Sequence, residues 1–559
     1  MSRKPKRKDY EAVTVDVGEN AGSDTNDLPS ATSAPSLKEM RQGTDDEFPH
    51  NWLRELKPIF LGGWALSLNQ LCMFLPGIFA VSFLETADEL AAASSGFFFA
   101  NVVGVSLVVG IGIGLTSLAS QAFGAGNNTR VGLLLQRQIL IHFVVVCVPV
   151  ALVWWYAESV LIALGQPAAI SALTAQFLKW RIPALPFYAT QRDIEWMLQC
   201  TKSPVLPRTA LYFAAALLNI FLFWVLISPQ ALGLGFIGAP IAVTITNICT
   251  CVALAVLAPT LCPQGTWPRA WDIRVACSGW AELLALSVPG TLMLCAEWWG
   301  NEMNVFLAGK LCTSEASSFP NVSAPVAGDT EDLSIVTTLS ADEVSCLPLD
   351  VFPLLLQTMV VVFMVHFGFS LKGGAHVGNL LGANEPKRAR TASWVLLAFV
   401  ASIAAAAAII LLLVRNWWGY VFSDDSQIVD MIAQTMPLVS LQLVAGALGP
   451  GALSSIIRGA GVLNAPSVIN VTAFWVVGVP LGIFLTFHEN WGIFGLWTAI
   501  DISAWIMVLG MSLHLFCIVD FEKVASSASL RGRSSSDIDA NCVNKQKSSS
   551  DIDANCANI

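Results

Sequence analysis

Charge is what this sequence has least of. Of its 559 residues only 13% are Asp, Glu, Lys or Arg, while 55% are apolar, and the mean hydropathy is +0.63; a soluble globule carries about a quarter charged residues. Outside 1–57, 311–350 and 520–559 the shortage is deeper, with 16 basic and 16 acidic side chains in 422 positions. The formal net charge of −10 therefore arises in those three segments, mostly in 311–350, where seven acids face no Lys or Arg. An acidity confined to one loop says nothing about a partner, and without a basic excess no nucleic-acid binding is expected. Histidine is scarce too. His50, His142, His366, His376, His488 and His514 are scattered, with no metal-ligand spacing and no Ser-His arrangement, so neither a metal site nor an enzyme is expected. A disordered scaffold fits no better. What the chain has instead is long apolar runs.

Runs able to cross about 30 Å of hydrocarbon, roughly 20 residues each, lie at 58–84, 91–118, 134–156, 169–190, 205–228, 236–260, 279–307, 351–371, 392–414, 428–449, 467–487 and 493–518. Each must be helical, because lipid offers an open backbone no partner and none alternates like a barrel strand. The expected fold is an all-α membrane protein of twelve transmembrane helices. The fourth is the weakest, with Lys179, Arg181, Arg192, Asp193 and Glu195 in or beside it. Basic residues set the orientation. The sequence starts Arg3-Lys4-Pro5-Lys6-Arg7-Lys8, and the joints after even-numbered spans carry Arg130, Arg137, Lys202, Arg208, Arg269, Arg274, Lys372, Lys387, Arg388, Arg390 and Arg458. Joints after odd-numbered spans hold little base besides Lys310 and Arg415. Both termini are thus expected in the cytoplasm, with no cleavable signal before the first span.

Residues 1–50 and 521–559 read as disordered cytoplasmic tails. The second carries Ser-Ser-Ser-Asp-Ile-Asp-Ala-Asn-Cys twice, at 534–542 and 548–556. Most of the 13 cysteines fall in spans, where they act as small apolar residues. Cys312 and Cys346 differ, because they bracket the acidic loop 311–350, expected outside; there a disulfide and two free thiols are equal alternatives. Of three glycosylation patterns, Asn470 lies in a span and Asn127 in a cytoplasmic joint, leaving Asn321 as the acceptor.

The chain repeats itself. Phe123-Gly-Ala-Gly-Asn-Asn-Thr-Arg130 after the second span parallels Leu381-Gly-Ala-Asn-Glu-Pro-Lys-Arg388 after the eighth. Leu218-Asn219-Ile-Phe-Leu-Phe-Trp-Val225 parallels Ile469-Asn470-Val-Thr-Ala-Phe-Trp-Val476, and Gly235-Phe-Ile-Gly238 parallels Gly492-Ile-Phe-Gly495. Six spans per copy is an even number, so the copies share one orientation and form two six-helix bundles related by a pseudo-two-fold along the membrane normal. The lobes are expected at 51–265 and 266–520, the second with the external loop 311–350. Two such bundles around a cavity suit an alternating-access carrier.

Polar groups inside the spans need a reason. In the seventh, Glu297, Asn301 and Asn304 stand at i, i+4 and i+7 on one helical face. A carboxylate at depth costs several kcal/mol unless protonated, paired or wetted, so Glu297 is the leading proton- or substrate-handling group. Glu302 lies near the outer end and is equally well explained as interfacial. Trp298 and Trp299 beside the acid suit an organic cation, since a ring face attracts positive charge. Asp501 interrupts the twelfth span at similar cost. Asn69 and Gln70 in the first are polar but uncharged.

Several motifs occur in order across roughly 50–520: Ser120-Gln-Ala-Phe-Gly-Ala-Gly126, Ile182-Pro-Ala-Leu-Pro186, Met293-Leu-Cys-Ala-Glu297-Trp-Trp-Gly-Asn-Glu302, Val377-Gly-Asn-Leu-Leu-Gly-Ala-Asn384, Arg458-Gly-Ala-Gly461 and Val477-Gly-Val-Pro-Leu-Gly482. As a set they resemble eukaryotic members of the multidrug and toxic compound extrusion (MATE) family. The resemblance implies twelve helices in two lobes, with export driven by inward proton or sodium flow. It assigns the coupling and substrate site to Glu297 and Glu302 and matches the first-helix glutamine of the eukaryotic branch to Gln70. The chain departs from the pattern at Gln357 and Ala447, where related animal transporters carry acids. It departs also at His376 and Lys372, in place of an arginine and a small residue, and Asp501 is an addition.

The expected function is therefore antiport of organic, cationic drugs, toxins or secondary metabolites against protons, with Na+ the alternative coupling ion and no cofactor. A monomer in the lipid bilayer of the plasma or a vacuolar-type membrane is expected. The rival is a lipid-linked oligosaccharide or lipid flippase of similar architecture, which predicts bases lining the cavity.

Overall fold

The computed structural model describes residues 52–81, 87–268, 271–317 and 347–532. Asn321 and Cys346 lie outside these residues, as do the side chain of Cys312 and both copies of the tail repeat. All regular structure among the described residues is helical, in chain order α1 Trp52–Val81, α2 Ala92–Gly124, α3 Asn128–Trp155, α4 in two pieces (Ala168–Arg181 and Ala184–Cys200), α5 Leu206–Ile227 and α6 Gly235–Leu261. The second copy comprises α7 Trp280–Ser317, α8 Leu347–Gly382, α9 Pro386–Val421, α10 Ser426–Ala460, α11 Asn464–His488 and α12 Ile493–Ile518, and a last helix, α13, follows at 521–532. Ten of these, all but α1, α4 and α13, are long and apolar enough to cross a membrane by composition alone among the described residues. At 38 residues α7 is roughly 57 Å long and projects well beyond the hydrocarbon.

The helices outrun the apolar runs that mark them in the sequence. A run gives out where polar and charged residues accumulate, whereas a helix continues as long as its backbone bonds are made and its side chains find partners. The fourth span, expected to end at 190, breaks at Ile182-Pro183, where proline supplies no backbone donor, and then continues to Cys200. Arg192, Asp193 and Glu195 are thereby inside a helix and buried. Three bases assigned to joints are likewise displaced. Arg208 is 1% exposed in the first turn of α5, Lys372 lies within α8 and Arg458 near the end of α10, none on an open surface.

The C-terminal tail is corrected as well. Residues 521–532 were expected to be disordered, yet they form a helix with Phe521, Ala525 and Ala528 buried at i, i+4 and i+7. The Asp520 side chain caps its start, accepting from the backbone N–H of Glu522 and of Lys523. This helix joins the core of the second lobe while its end reaches the first. Asn127 Nδ2 donates to Gly532 O (2.9 Å), Arg130 donates to Arg531 O, and Arg531 donates to Gln121 Oε1 (3.2 Å).

The lobes meet through α1 with α8 and α2 with α7, α8 and α10. The α1–α8 contact lies toward the Trp52 end of α1. His376 Nε2 and Arg388 Nε hold the two oxygens of Glu55 at 2.7 and 2.8 Å, and Ser67 Oγ donates to Val365 O. Backbones come so close here that a Cβ on Gly368 would stand 2.1 Å from the Ser67 nitrogen, and one on Gly124 of α2 would stand 2.0 Å from Asn379 O. We call this side of the molecule the Glu55 end.

Candidate functional site

Site geometry begins with α7, which one hydrogen bond after another fixes in place. Asn470 Nδ2 donates to Met293 O (2.7 Å) and Trp475 Nε1 to Ala296 O (3.0 Å), both from α11. On the other side Trp299 Nε1 donates to Val102 O (3.1 Å) and Ser106 Oγ (3.2 Å) of α2. Trp299 thus ties the two lobes together, and Trp298 packs against the core of the second lobe.

Held in this frame, Glu297, Asn301 and Asn304 share one face of an uninterrupted helix. Asn304 is buried, donates to Gly300 O (2.8 Å), and leaves its Oδ1 without a partner; the Oδ1 of Asn301 is buried and unpartnered too. Glu297 is half-buried, and among the described residues no hydrogen bond or ion pair reaches it. The base within electrostatic range is Arg458 of α10. Glu302 is also half-buried and unpaired among the described residues. Gln70 is half-buried on α1 beside the fully buried Asn69, whose amide has no partner. Asp501 is 3% exposed on α12, with both carboxylate oxygens buried and unpartnered. Polar atoms without a partner among the described residues thus occur on α7 and α12 of the second lobe, as they do in the first.

Arg458 also lines a cavity of about 40 Å³ between the lobes, with Thr116 of α2, Trp196 and Gln199 of α4 and Ala375 of α8. A larger groove of about 310 Å³, between α3, α4 and residues 271–276, is mainly apolar and apart from Glu297.

A second cluster, in the first lobe, escaped the sequence analysis. Asp193 Oδ2 and His142 Nδ1 stand 2.8 Å apart, at 0% and 1% exposure, and Glu195 pairs with Arg208 at 2.9 Å. Arg192 lies over the Trp196 ring (5.1 Å) and reaches Met73 Sδ. The signal was present as four ionisable residues, Arg181, Arg192, Asp193 and Glu195, too many for a lipid-facing helix. Their partners on α3 and α5 lie up to 51 residues away, and nothing in the spacing reveals them.

These features define the class: an integral membrane protein of twelve helices in two six-helix lobes, repeated in sequence. Residues 65–225 and 333–484 match the MatE family model, one segment in each copy of the repeat, and the chain belongs to this family of multidrug and toxin extruders. It is 30% identical to an uncharacterized transporter of Schizosaccharomyces pombe over 92% of this chain and 88% of that one. To Multidrug and toxin extrusion protein 1 of Homo sapiens it is 29% identical, over 80% and 72% of the two chains. For Protein DETOXIFICATION 16 of Arabidopsis thaliana the figures are 29%, 86% and 92%. Among solved structures it resembles the eukaryotic MATE transporter AtDTX14, with TM-score 0.75 and 25% identity over 86% of this chain and all of that one.

Proposed function

We propose that this protein exports organic cations in exchange for protons, with Glu297 as the exchanging group. One observation carries the proposal: an acid inside a membrane-spanning helix, free of hydrogen bonds among the described residues, with Arg458 at electrostatic range. An ionised acid at membrane depth costs about 2.5–3.5 kcal/mol even on the mildest scale, so its charge must be answered. A proton, the Arg458 guanidinium and a cationic solute can each do so, and one carboxylate accommodates one of them at a time. Arrival of the solute therefore displaces the proton. Asn301, Asn304, Gln70 and Glu302 supply hydrogen bonds to the solute, Trp298 and Trp299 border it, and Asp501 is a second acid of the same lobe. Sodium is the alternative coupling ion. In this reading the Glu55 end, where the Lys and Arg residues gather, faces the cytoplasm of a plasma or vacuolar-type membrane, and the monomer is the working unit. The names of the human and Arabidopsis relatives support a drug or toxin as cargo.

The test is ethidium uptake into proteoliposomes with proton and sodium gradients imposed separately. Proton-driven uptake supports the proposal, and uptake driven by neither gradient refutes it. Arg458 on a cavity wall is the one feature that favours the rival flippase. That reading requires a fluorescent phospholipid, rather than ethidium, to be moved in the same vesicles and Arg458→Gln to stop it.

A further inference from the structure

Hydrogen-bond logic at His142 places a proton in the first lobe. His142 Nε2 stands 3.0 Å from Val108 O of α2, and a carbonyl oxygen only accepts, so Nε2 carries hydrogen. On the opposite side of the ring Nδ1 stands 2.8 Å from Asp193 Oδ2. A second proton must lie between these two atoms, as imidazolium with carboxylate or as imidazole with carboxylic acid. Without it two lone pairs would face each other at 2.8 Å between two buried side chains. Gln138 does not supply it, because its Nε2 stands 3.4 Å from both ring nitrogens alike, also reaches Ile111 O, and an amide does not give up its proton. The pair thus holds one proton more than a neutral imidazole with a carboxylate, and without it the single remaining N–H can serve Asp193 or Val108 O but not both.

The groups facing this pair do not replace the proton. Arg192 on the same helix attracts Asp193, and the thiols of Cys147 on α3 and Cys251 on α6 lie within its field. Glu195 and Arg208 of α5 neutralise one another. Lys372 of α8 lies beyond them, beside Arg208 and Cys200. The pair is also mechanically connected to the lobe interface. The Trp196 ring, 6.4 Å from His142, forms part of the interlobe cavity wall and packs against Gly112 of α2. The next turns of α2, at Gly110 and Gly114, lie against Thr291 and Ser287 of α7, the helix of Glu297.

We propose that His142 and Asp193 form a second proton site of the transport cycle, loaded when the lobes are joined at the Glu55 end and discharged when they part there. The proposal rests on the antiport reading above. Losing the proton breaks one of the two contacts that His142 makes, to Asp193 of α4 or to Val108 O of α2, loosens the packing of Trp196 and α2, and so disfavours the joined state. Regaining it from water restores the contact, with no other group consumed. The site is distinct from Glu297 in lobe, helix and chemistry.

The discriminating variant is the double amide His142→Gln/Asp193→Asn, which can keep a hydrogen bond between α3 and α4 but has no proton to exchange. Two readouts on full-length protein in proteoliposomes are needed: proton-driven ethidium uptake and ethidium–ethidium exchange. The expected result is at least a fivefold fall in proton-driven uptake, with ethidium–ethidium exchange within twofold of wild type. Asp193→Glu, which keeps the exchangeable proton, should restore part of the proton-driven rate, so a variant that merely misfolds is recognised. A wild-type proton-driven rate in the double amide, with antiport present in the parent, would overturn the site alone. No proton-driven flux in the parent would overturn the antiport reading, and with it the coupling role of the pair.

Discussion

Glu297 carries the proposed chemistry in a single exchangeable charge. Glu297→Gln keeps size and hydrogen bonding, so proton-driven ethidium uptake should fall to background while surface expression and ethidium-free folding persist. Glu297→Asp keeps the charge with a shorter reach, and its rate should lie between, within about 100-fold of wild type, the cost expected for a misplacement near 1 Å. Asp501→Asn should cost less than Glu297→Gln at equal expression; the reverse order would move the principal acid to α12. Arg208 makes a different kind of prediction, about stability. It is the ion-pair partner of Glu195, and both are almost fully buried. Arg208→Ala strands the carboxylate, which should lower stability by about 3–5 kcal/mol. Arg208→Met with Glu195→Gln should recover most of it, as read by thermal unfolding in detergent. At this scale the sequence was unevenly legible. The Glu297, Asn301, Asn304 face follows from spacing alone, whereas His142 and Asp193 come together only because α3 and α4 pack side by side.

The helical elements carry the clearest contrast between pattern and packing. Hydropathy locates all twelve spans, yet it ends α4 ten residues early and α8 and α10 about eleven early, because polar and charged residues that break an apolar pattern are still carried within the helix. The last helix shows the opposite failure: 521–532 is polar enough to read as tail, and its short apolar face acquires a purpose only against the second lobe. Ala525, 0% exposed, lies at the centre of that face. Ala525→Glu would bury an unpaired charge, so α13 should detach rather than accept it. Trypsin cleavage after Arg531 should then accelerate in the purified protein while the twelve spans stay resistant. Unchanged cleavage would show that α13 does not depend on this contact.

The two lobes meet at the Glu55 end and again along α2 and α7. Gly368 on α8 admits the backbone of Ser67 on α1, and any side chain there must push the lobes apart. Gly368→Val should disfavour the joined state by about 1–3 kcal/mol, a population shift of roughly 5- to 150-fold. In a cysteine-free background a single cysteine at Ser120, buried where α2 meets Gly378 of α8, should react faster with a soluble thiol reagent in the Gly368→Val protein. Equal rates would mean that closure at the Glu55 end does not depend on this contact. Composition and periodicity by themselves determined that the chain lives in lipid, that it crosses as helices, that six of them are repeated, and that Glu297 and Asp501 are its costly acids. These follow from local rules, since the price of an unpaired backbone or charge in hydrocarbon is set by each segment alone. Only the tertiary structure decided which charges answer one another: Arg458 near Glu297, His142 against Asp193, Arg208 against Glu195, Glu55 between His376 and Arg388. Such pairings depend on distances between helices up to 333 residues apart in sequence. Electrostatic energy falls with separation in space and takes no account of separation along the chain.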